Sequence, residues 1–204
     1  QWTKAQRGGS GVGYDPGLGG GAGVAHTTFG SGRRALQDAS TGIDIYTSSD
    51  GMIINGTGTG TFWRDMDFAP NGDLWLREGN NVIQGVRSGA NSLSATNLVV
   101  DPGVDADFVN LQTIAYLDGV VGGDLLIYND RDSAAGGQSF GDVVQVVSPD
   151  GTGQPLNLDL LAPVLDGGGA YDFSWDAASQ TLAISDFSNR NVHLFSVVPE
   201  PASW

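Results

Sequence analysis

The stretch D-F-A-P-N-G-D-L-W-L-R-E-G-N-N-V-I-Q-G-V, residues 67–86, decides the fold class. It holds two short runs rich in β-branched and aromatic residues, and neither run continues into an apolar stripe of helical period. The segments P-N-G-D and E-G-N-N contain the residues that favour tight turns. The stretch therefore predicts antiparallel β-strands joined by turns.

The same pattern returns along the chain. Residues 172–197 read D-F-S-W-D-A-A-S-Q-T-L-A-I-S-D-F-S-N-R-N-V-H-L-F-S-V, again Asp-Phe, turn, strand, turn and strand. A second echo links I-D-I-Y-T-S-S-D-G (43–51) to V-Q-V-V-S-P-D-G (144–151). Strands are predicted at 43–48, 73–78, 81–86, 124–129, 142–147, 181–186 and 191–197. These repeats predict an all-β chain without long helices.

The repeat spacing predicts units of roughly 50 residues, the size of a four-stranded propeller blade with a long loop or two. The units fall at 23–61, 62–105, 106–166 and 167–198. We therefore expect a small β-propeller of about four blades, the last of which lacks an outer strand. A β-sandwich is the alternative, because strand periodicity alone does not separate the two.

The motif D-F-x-P-x-G-x-L-W at residues 67–75 resembles a turn found in β-propellers of the NHL and lactonase-like groups. The resemblance covers two or three units, about half of the chain. It implies the propeller fold and does not by itself imply an activity.

Residues 1–32 form a separate, glycine-rich region, interpreted as an N-terminal arm that precedes a propeller-like domain at 33–198. Such a run cannot form a stable helix, because glycine loses too much backbone entropy there. A flexible tail is one interpretation. The other is a strand that pairs with the open edge of the last blade or with a neighbouring copy. The residues predicted to mediate that assembly are Val24, Ala25, His26, Thr27, Thr28 and Phe29.

The chain closes on V-P-E-P-A-S-W, where Pro199 and Pro201 cannot donate backbone hydrogen bonds, so strand pairing is expected to end near Val198. Residues 199–204, which begin with Pro199, Glu200 and Pro201, resemble the beginning of the PEP-CTERM sorting signal of Gram-negative, exopolysaccharide-producing bacteria. The apolar helix and arginine cluster of that family do not follow here. The resemblance implies a protein routed to the cell surface or the extracellular matrix.

The composition of the chain makes several classes of binding partner and metal site unfavourable. The 204 residues carry a formal net charge of −14, which disfavours nucleic acid and anionic membrane surfaces. The absence of cysteine excludes disulfides and thiolate metal sites, and only two histidines are present. No apolar run is long enough to span a membrane. An acidic surface suits a secreted protein, and it also suits calcium.

Alternating carboxylates on loops make calcium the one candidate cofactor. The candidate ligands are Asp101, Asp105, Asp107, Asp130 and Asp132. Hard oxygen ligands of this kind can converge on Ca²⁺, although neither run matches the spacing of an EF-hand loop. The alternative is that these carboxylates cap turns and face solvent.

Asp67 and Asp172 occupy matching places in the repeat, and Trp175 follows Asp172 closely. These three residues are the candidate ligand-binding set: the carboxylates could line a channel, and the indole could stack on a sugar. The structural alternatives are turn hydrogen bonds for the carboxylates and core packing for the indole. The chain contains none of the G-x-S-x-G, H-E-x-x-H or phosphate-loop motifs.

Three functions remain open at this point. The first is a non-enzymatic extracellular or cell-surface scaffold, self-associating into fibres through the N-terminal arm and contacting exopolysaccharide. The second is a calcium- or carbohydrate-binding module. The third is a propeller lyase or lactonase that uses Asp67 and Asp172.

Overall fold

The computed structural model describes residues 9–16, 23–28, 34–38, 44–47, 63–78, 81–89, 92–100, 113–130, 143–149, 156–157, 170–186 and 189–197. The chain divides into two compact units, Gln1–Gly103 and Val104–Trp204. All regular elements in the described ranges are β-strands, which confirms the all-β prediction. No helix in those ranges is long and apolar enough to cross a membrane.

The first unit holds two antiparallel four-stranded meanders, in which consecutive strands are neighbours. Sheet 1 contains β1 (Gly9–Asp15), β2 (Gly23–Thr28), β3 (Arg34–Asp38) and β4 (Asp44–Thr47). Sheet 2 contains β5 (Trp63–Phe68), β6 (Leu74–Glu78), β7 (Asn81–Gly89) and β8 (Ser92–Val100). The first strands of the two sheets, β1 and β5, pack against each other.

The second unit repeats this arrangement with one strand fewer. Sheet 3 contains β9 (Ile114–Leu117), β10 (Leu125–Asp130), β11 (Val143–Val147) and β12 (Leu156–Asn157). Sheet 4 contains β13 (Ala170–Asp176), β14 (Thr181–Asp186) and β15 (Asn191–Ser196). In the described residues the fourth sheet thus has three strands, as the repeat pattern predicts for the last unit.

The glycine-rich N-terminal region supplies two strands of sheet 1. The boundary predicted after residue 32 falls between β2 and β3, yet these strands are hydrogen-bonded neighbours. Strand β2 also pairs with β1, so both of its edges are occupied within its own chain. The segment 24–28 is therefore an interior strand, and its backbone groups are not available for adding a strand from another copy. Phe29 lies outside the described residues.

Position 13 in β1 is a glycine for a steric reason. A Cβ atom at Gly13 would lie 3.0 Å from two ring carbons of Phe68 and 3.2 Å from the Met66 Cγ. Glycine therefore allows β1 to approach β5 closely, as expected where two backbones come together.

The turn between β5 and β6 forms as its sequence predicts. Gly72 has a φ of 85°, in the left-handed region that favours glycine. Its N–H donates to the Ala69 carbonyl at 2.8 Å, and the Asp73 N–H donates to the Asn71 Oδ1 at 3.0 Å. The side chains of Leu74, Trp75 and Leu76 that follow are buried on both faces of β6.

The core of the second unit lies between sheets 3 and 4. Sheet 3 and its first turn contribute Ala115, Leu117, Val120, Ile127, Val144 and Val146. Sheet 4 contributes Ala170, Phe173, Leu182 and Ile184, with Trp175, Phe195 and Val197 packed at the margin. Burial of these apolar side chains is the main force that holds the two sheets together.

Candidate functional site

Asp67 and Asp172 have the same local geometry. The Asp67 Oδ1 accepts the Phe68 N–H at 2.8 Å, and the Asp172 Oδ1 accepts the Phe173 N–H at 2.9 Å. Each phenylalanine is buried. The repeated Asp-Phe pair is therefore a backbone-fixing motif in both sheets, with one carboxylate oxygen committed to the following amide.

The two Asp-Phe pairs differ in register. Phe68 pairs with Leu74 at the end of β5, directly before the turn. Phe173 pairs with Ile184, and three more pairs follow before the turn: Ser174 with Ala183, Trp175 with Leu182 and Asp176 with Thr181. The sequence repeat thus aligns residues that lie at different distances from their turns.

The Asp172 carboxyl lies on the exposed side of β13, beside Ser185 of β14. Partial burial raises the pKa of Asp172 above its ordinary value, and the hydrogen bond from the Phe173 N–H opposes that rise. The Ser185 Oγ is itself buried, and it makes no hydrogen bond in the part of the chain that the structure describes.

Trp175 is a packing residue of the second unit. Its Nε1 donates to the Asp118 carbonyl at 2.8 Å, and its ring packs at the margin of the core between sheets 3 and 4. The indole N–H and part of the ring are therefore used internally, as aromatic side chains in short strands commonly are.

Most of the predicted calcium ligands cannot be placed. Asp101, Asp105, Asp107 and Asp132 lie outside the described residues, and of Asp130 only the backbone at the end of β10 is described. Within the described ranges no three His, Asp or Glu side chains gather in an arrangement that could hold a metal ion. Pro199, Glu200 and Pro201 also lie outside those ranges. The calcium site and the sorting motif stay predictions.

Sequence reasoning missed a polar bridge between sheets 1 and 2. Asp15, fully buried at the end of β1, accepts a hydrogen bond and ion pair from the Arg87 Nη2. The Arg87 Nε donates to the Gly72 carbonyl at 2.9 Å, and the Arg87 N–H donates to the Asp73 Oδ1 at 2.8 Å. One arginine thus links the end of β1 to the β5–β6 turn.

A second bridge joins sheets 3 and 4. The Gln180 Oε1 accepts the Val121 N–H at 3.2 Å, and its Nε2 donates to the carbonyls of Gly119 at 3.0 Å and Ala177 at 2.7 Å. Gln180 has a φ of 51°, unusual for a residue with a side chain. The amide therefore connects the β9–β10 turn to the β13–β14 turn.

The side of sheet 4 turned away from sheet 3 is exposed and carries large apolar side chains. Its cross-strand rows are Asp172, Ser185 and Val192, followed by Ser174, Ala183 and Leu194. We call these six residues the open face. Val192 is 65% exposed and Leu194 is 70% exposed, although both are large and apolar. Apolar side chains grouped on an exposed surface favour a binding site.

The edge of sheet 4 is open beside this face. The Val197 N–H donates to the Gln180 carbonyl at 2.9 Å, which makes these two residues a hydrogen-bonded pair of the ladder. Because such pairs alternate along an antiparallel ladder, the N–H and C=O groups of Val192, Leu194 and Ser196 point away from β14. No further strand pairs with β15 among the described residues.

His193 lies on the opposite side of β15 from the open face. Its Nε2 is 3.5 Å from the Oδ2 of the buried Asp186, which also accepts hydrogen bonds from Asn189. His193 is therefore part of a polar contact at the end of sheet 4. His26 lies on β2, where side chains are not described.

No family model matches this chain, and no curated protein matches it either. Several solved structures, however, are similar to this chain. The β-propeller domain of Cps50 (Swd1) from Myceliophteria thermophila has a TM-score of 0.56 and 13% identity over 93% of this chain and 54% of that one. YCF48 bound to a D1 peptide has a TM-score of 0.55 and 11% identity over 93% of this chain and 50% of that one.

A third similar structure is the extracellular domain of a putative hybrid two-component system from B. thetaiotaomicron. Its TM-score is 0.56, with 8% identity over 98% of this chain and 22% of that one. At such identities the likeness shows the fold alone, and the fold is the predicted β-propeller rather than the β-sandwich. The chain spans about half the length of the first two structures and less of the third.

Proposed function

We propose that this chain is a non-enzymatic, secreted or cell-surface β-propeller that acts as a structural scaffold of an extracellular matrix. The observation that carries the proposal is the open face of sheet 4, which presents Val192 and Leu194 to solvent on two sheets joined by a shared core and by Gln180. A scaffold needs a stable body and an exposed surface that engages a partner, and the second unit supplies both.

Location outside the cell is supported by several features. The chain has a net charge of −14, which suits a secreted protein, and Pro199, Glu200 and Pro201 resemble a sorting motif for surface delivery. Two similar structures are extracellular domains from B. thetaiotaomicron. On this basis we propose a surface protein of a Gram-negative bacterium, in contact with exopolysaccharide.

The proposed route of assembly does not use the segment 24–29. Strand β2 is paired on both sides within its own sheet, so its backbone groups are already satisfied. The scaffold function therefore depends on side chains at the surface of the sheets and not on a free N-terminal arm.

The test is fractionation of the producing bacterium, with the protein detected by antibody. We expect the wild-type chain at the cell surface or in the matrix, and deletion of the gene should weaken the matrix. Replacing Pro199, Glu200 and Pro201 by alanine should prevent delivery, whereas Ser203→Ala, a matched change nearby, should not. Recovery in the cytoplasm, or an unchanged matrix in the deletion strain, would contradict the proposal.

Carbohydrate binding is a second candidate, and one observation favours it. On the open face the partly desolvated Asp172 carboxyl lies in the same cross-strand row as Ser185, and a carboxylate suits sugar hydroxyls. Calorimetric titration with exopolysaccharide fragments tests this. Binding that disappears in Asp172→Ala supports it, and a flat titration of the wild type excludes it.

A further inference from the structure

The first strand of sheet 4 contains a β-bulge near its beginning. The register shifts between Ala170 and Asp172, where Tyr171 of β13 is extra relative to β14. Side chains of a regular strand alternate between its two faces, and a bulge interrupts that alternation. Ala170 and Phe173 are three positions apart, yet both lie in the core shared with sheet 3. Between them Tyr171, which is 46% exposed, and Asp172 both lie at the surface. The bulge therefore presents an aromatic ring and a carboxylate together.

The matching position in sheet 2 lacks such a pair. Asp67 makes the same backbone hydrogen bond as Asp172, but the residue before it is Met66, whose side chain is buried. Strand β5 also has a register shift, and it lies earlier, between Trp63 and Met66. The Asp-Phe motif thus fixes the backbone in both sheets, and of the two only the copy in sheet 4 carries an exposed aromatic side chain beside the carboxylate.

Asp172 can accept more hydrogen bonds than it receives within the described residues. Its Oδ1 accepts the Phe173 N–H at 2.9 Å, and no second donor contacts this carboxylate in the described ranges. An ionised carboxylate has two oxygens and about four acceptor positions. The group is also partly desolvated, so a cation that approaches it displaces less water than it would at a fully hydrated carboxylate. Asp172 is therefore prepared to receive further donors from a ligand.

The charges around this pair favour a cationic ligand. The strands of sheet 4 contain Asp172, Asp176 and Asp186 but neither lysine nor arginine. Arg190 lies in the turn before β15, and within the described ranges it makes no ion pair with Asp172. The 204 residues carry a net charge of −14, which attracts cations at long range. The face of an aromatic ring such as that of Tyr171 also attracts a cation.

We infer that Tyr171 and Asp172 form a binding subsite for a protonated amino sugar of a polysaccharide. The tyrosine ring supplies a flat apolar surface for the C–H groups of the sugar ring, and the carboxylate pairs with the ammonium group. Ser174, exposed on the same side of β13 as Asp172, supplies a hydroxyl for the sugar hydroxyls. A lysine side chain would use only the charge, whereas an amino sugar uses all three groups. The inference deepens the proposed matrix function and rests on it for the presence of a polysaccharide.

Isothermal titration calorimetry of the full chain with chitosan oligosaccharides, whose amino groups are free, tests the inference. Chitin oligosaccharides of the same length are the neutral counterpart, because their amino groups are acetylated. We expect the chitosan oligosaccharide to bind at least about tenfold more tightly than the chitin oligosaccharide, since only the former offers an ammonium group to the carboxylate. Its affinity should fall as sodium chloride rises, because salt screens the attraction between exposed charges.

Conservative variants separate the two groups. Asp172→Asn keeps an oxygen that can accept the Phe173 N–H but removes the charge, and it should weaken chitosan binding at least about tenfold. Tyr171→Ala should have a similar effect, whereas Tyr171→Phe keeps the ring and should bind like the wild type. Asp118→Asn is the matched control, because it removes the same charge at the β9–β10 turn. Circular dichroism of each variant confirms that it is folded.

Four results would overturn the inference: a flat titration of the wild type, equal affinity for the two oligosaccharides, losses in Asp118→Asn as large as in Asp172→Asn, or wild-type affinity in Tyr171→Ala. A lysine oligomer of the same length that binds as tightly as the chitosan oligosaccharide would also overturn it, by assigning the subsite to a protein partner. Each of these leaves the scaffold proposal to the fractionation experiment. A chain that binds chitosan through Tyr171 and Asp172 but is recovered in the cytoplasm would contradict the scaffold proposal and leave the subsite standing.

Discussion

Sheets 3 and 4 share one topology and differ in how many of their faces are buried. One of the two interior strands of sheet 3, β10, has Leu126, Ile127, Tyr128 and Asn129 in succession, and all four are buried, so both faces of this strand are covered. The central strand of sheet 4, β14, alternates buried and half-buried residues from Thr181 to Asp186. A continuous apolar run marks an interior sheet, and strict alternation marks a sheet with one face in solvent.

The largest expected effect on stability tests this difference between sheets 3 and 4 directly. Ile127 of β10 is fully buried, so Ile127→Ala should lower the free energy of unfolding by about 2–5 kcal/mol through lost burial and a cavity. Leu194→Ala in sheet 4 should change it by less than about 0.5 kcal/mol, because Leu194 is exposed. Urea unfolding followed by circular dichroism measures both, and equal losses would show that the open face is covered.

The next effect tests whether a polar bridge matters as much as apolar burial. Asp15→Ala leaves Arg87 without its buried anionic partner and should cost about 3 kcal/mol of unfolding free energy. The double variant Asp15→Ala with Arg87→Met removes both charges and should recover part of that loss. A double variant less stable than Asp15→Ala would contradict the assigned role of the pair.

The bridge between sheets 3 and 4 should have a smaller effect because it is exposed. Gln180→Ala removes hydrogen bonds to Val121 and Gly119 and should cost about 1–2 kcal/mol. Gln180→Gly removes the same bonds but relieves the left-handed backbone, so it should be less destabilising than alanine. Thermal unfolding compares the two, and a glycine variant less stable than the alanine variant would rule out this explanation.

The smallest effect concerns the charge on the open face. Burial raises the pKa of Asp172, so the folded chain favours the neutral carboxyl, and stability is lost as pH rises through the raised pKa. Asp172→Asn should therefore raise the Tm on the order of 1 °C at pH 7. The difference should vanish below the ordinary value of 3.8. A Tm rise that persists unchanged at pH 3 would have another cause.

Local patterns were enough to predict about half of the described strands, but not the start of sheet 1, which begins at Gly9 rather than at residue 23. The runs predicted at 73–78, 81–86, 124–129, 142–147, 181–186 and 191–197 correspond to β6, β7, β10, β11, β14 and β15. Period-two alternation and turn residues are properties of short segments, so one sequence carries them. The three strands that sheet 4 has among the described residues agree with the same counting.

Contacts between residues that are far apart in the sequence were not predictable from local patterns. The glycines of β1 lack side chains that could show a strand period, and Gly13 belongs in a strand because Phe68 lies against it. Arg87 and Asp15 form an ion pair although they are 72 positions apart in the sequence, and no local motif indicates this pairing. The hydrogen bond from the Trp175 Nε1 to the Asp118 carbonyl likewise joins residues 57 positions apart, and no local motif indicates it.

Residue-resolved amide hydrogen exchange along β15, in dilute chain, tests the open side of sheet 4 most directly. The account predicts alternation: Asn191, His193 and Phe195, whose amides point to β14, exchange slowly, whereas Val192, Leu194 and Ser196 exchange rapidly. Uniformly slow exchange from Asn191 to Ser196 would mean that the edge is already paired, and it would contradict the account.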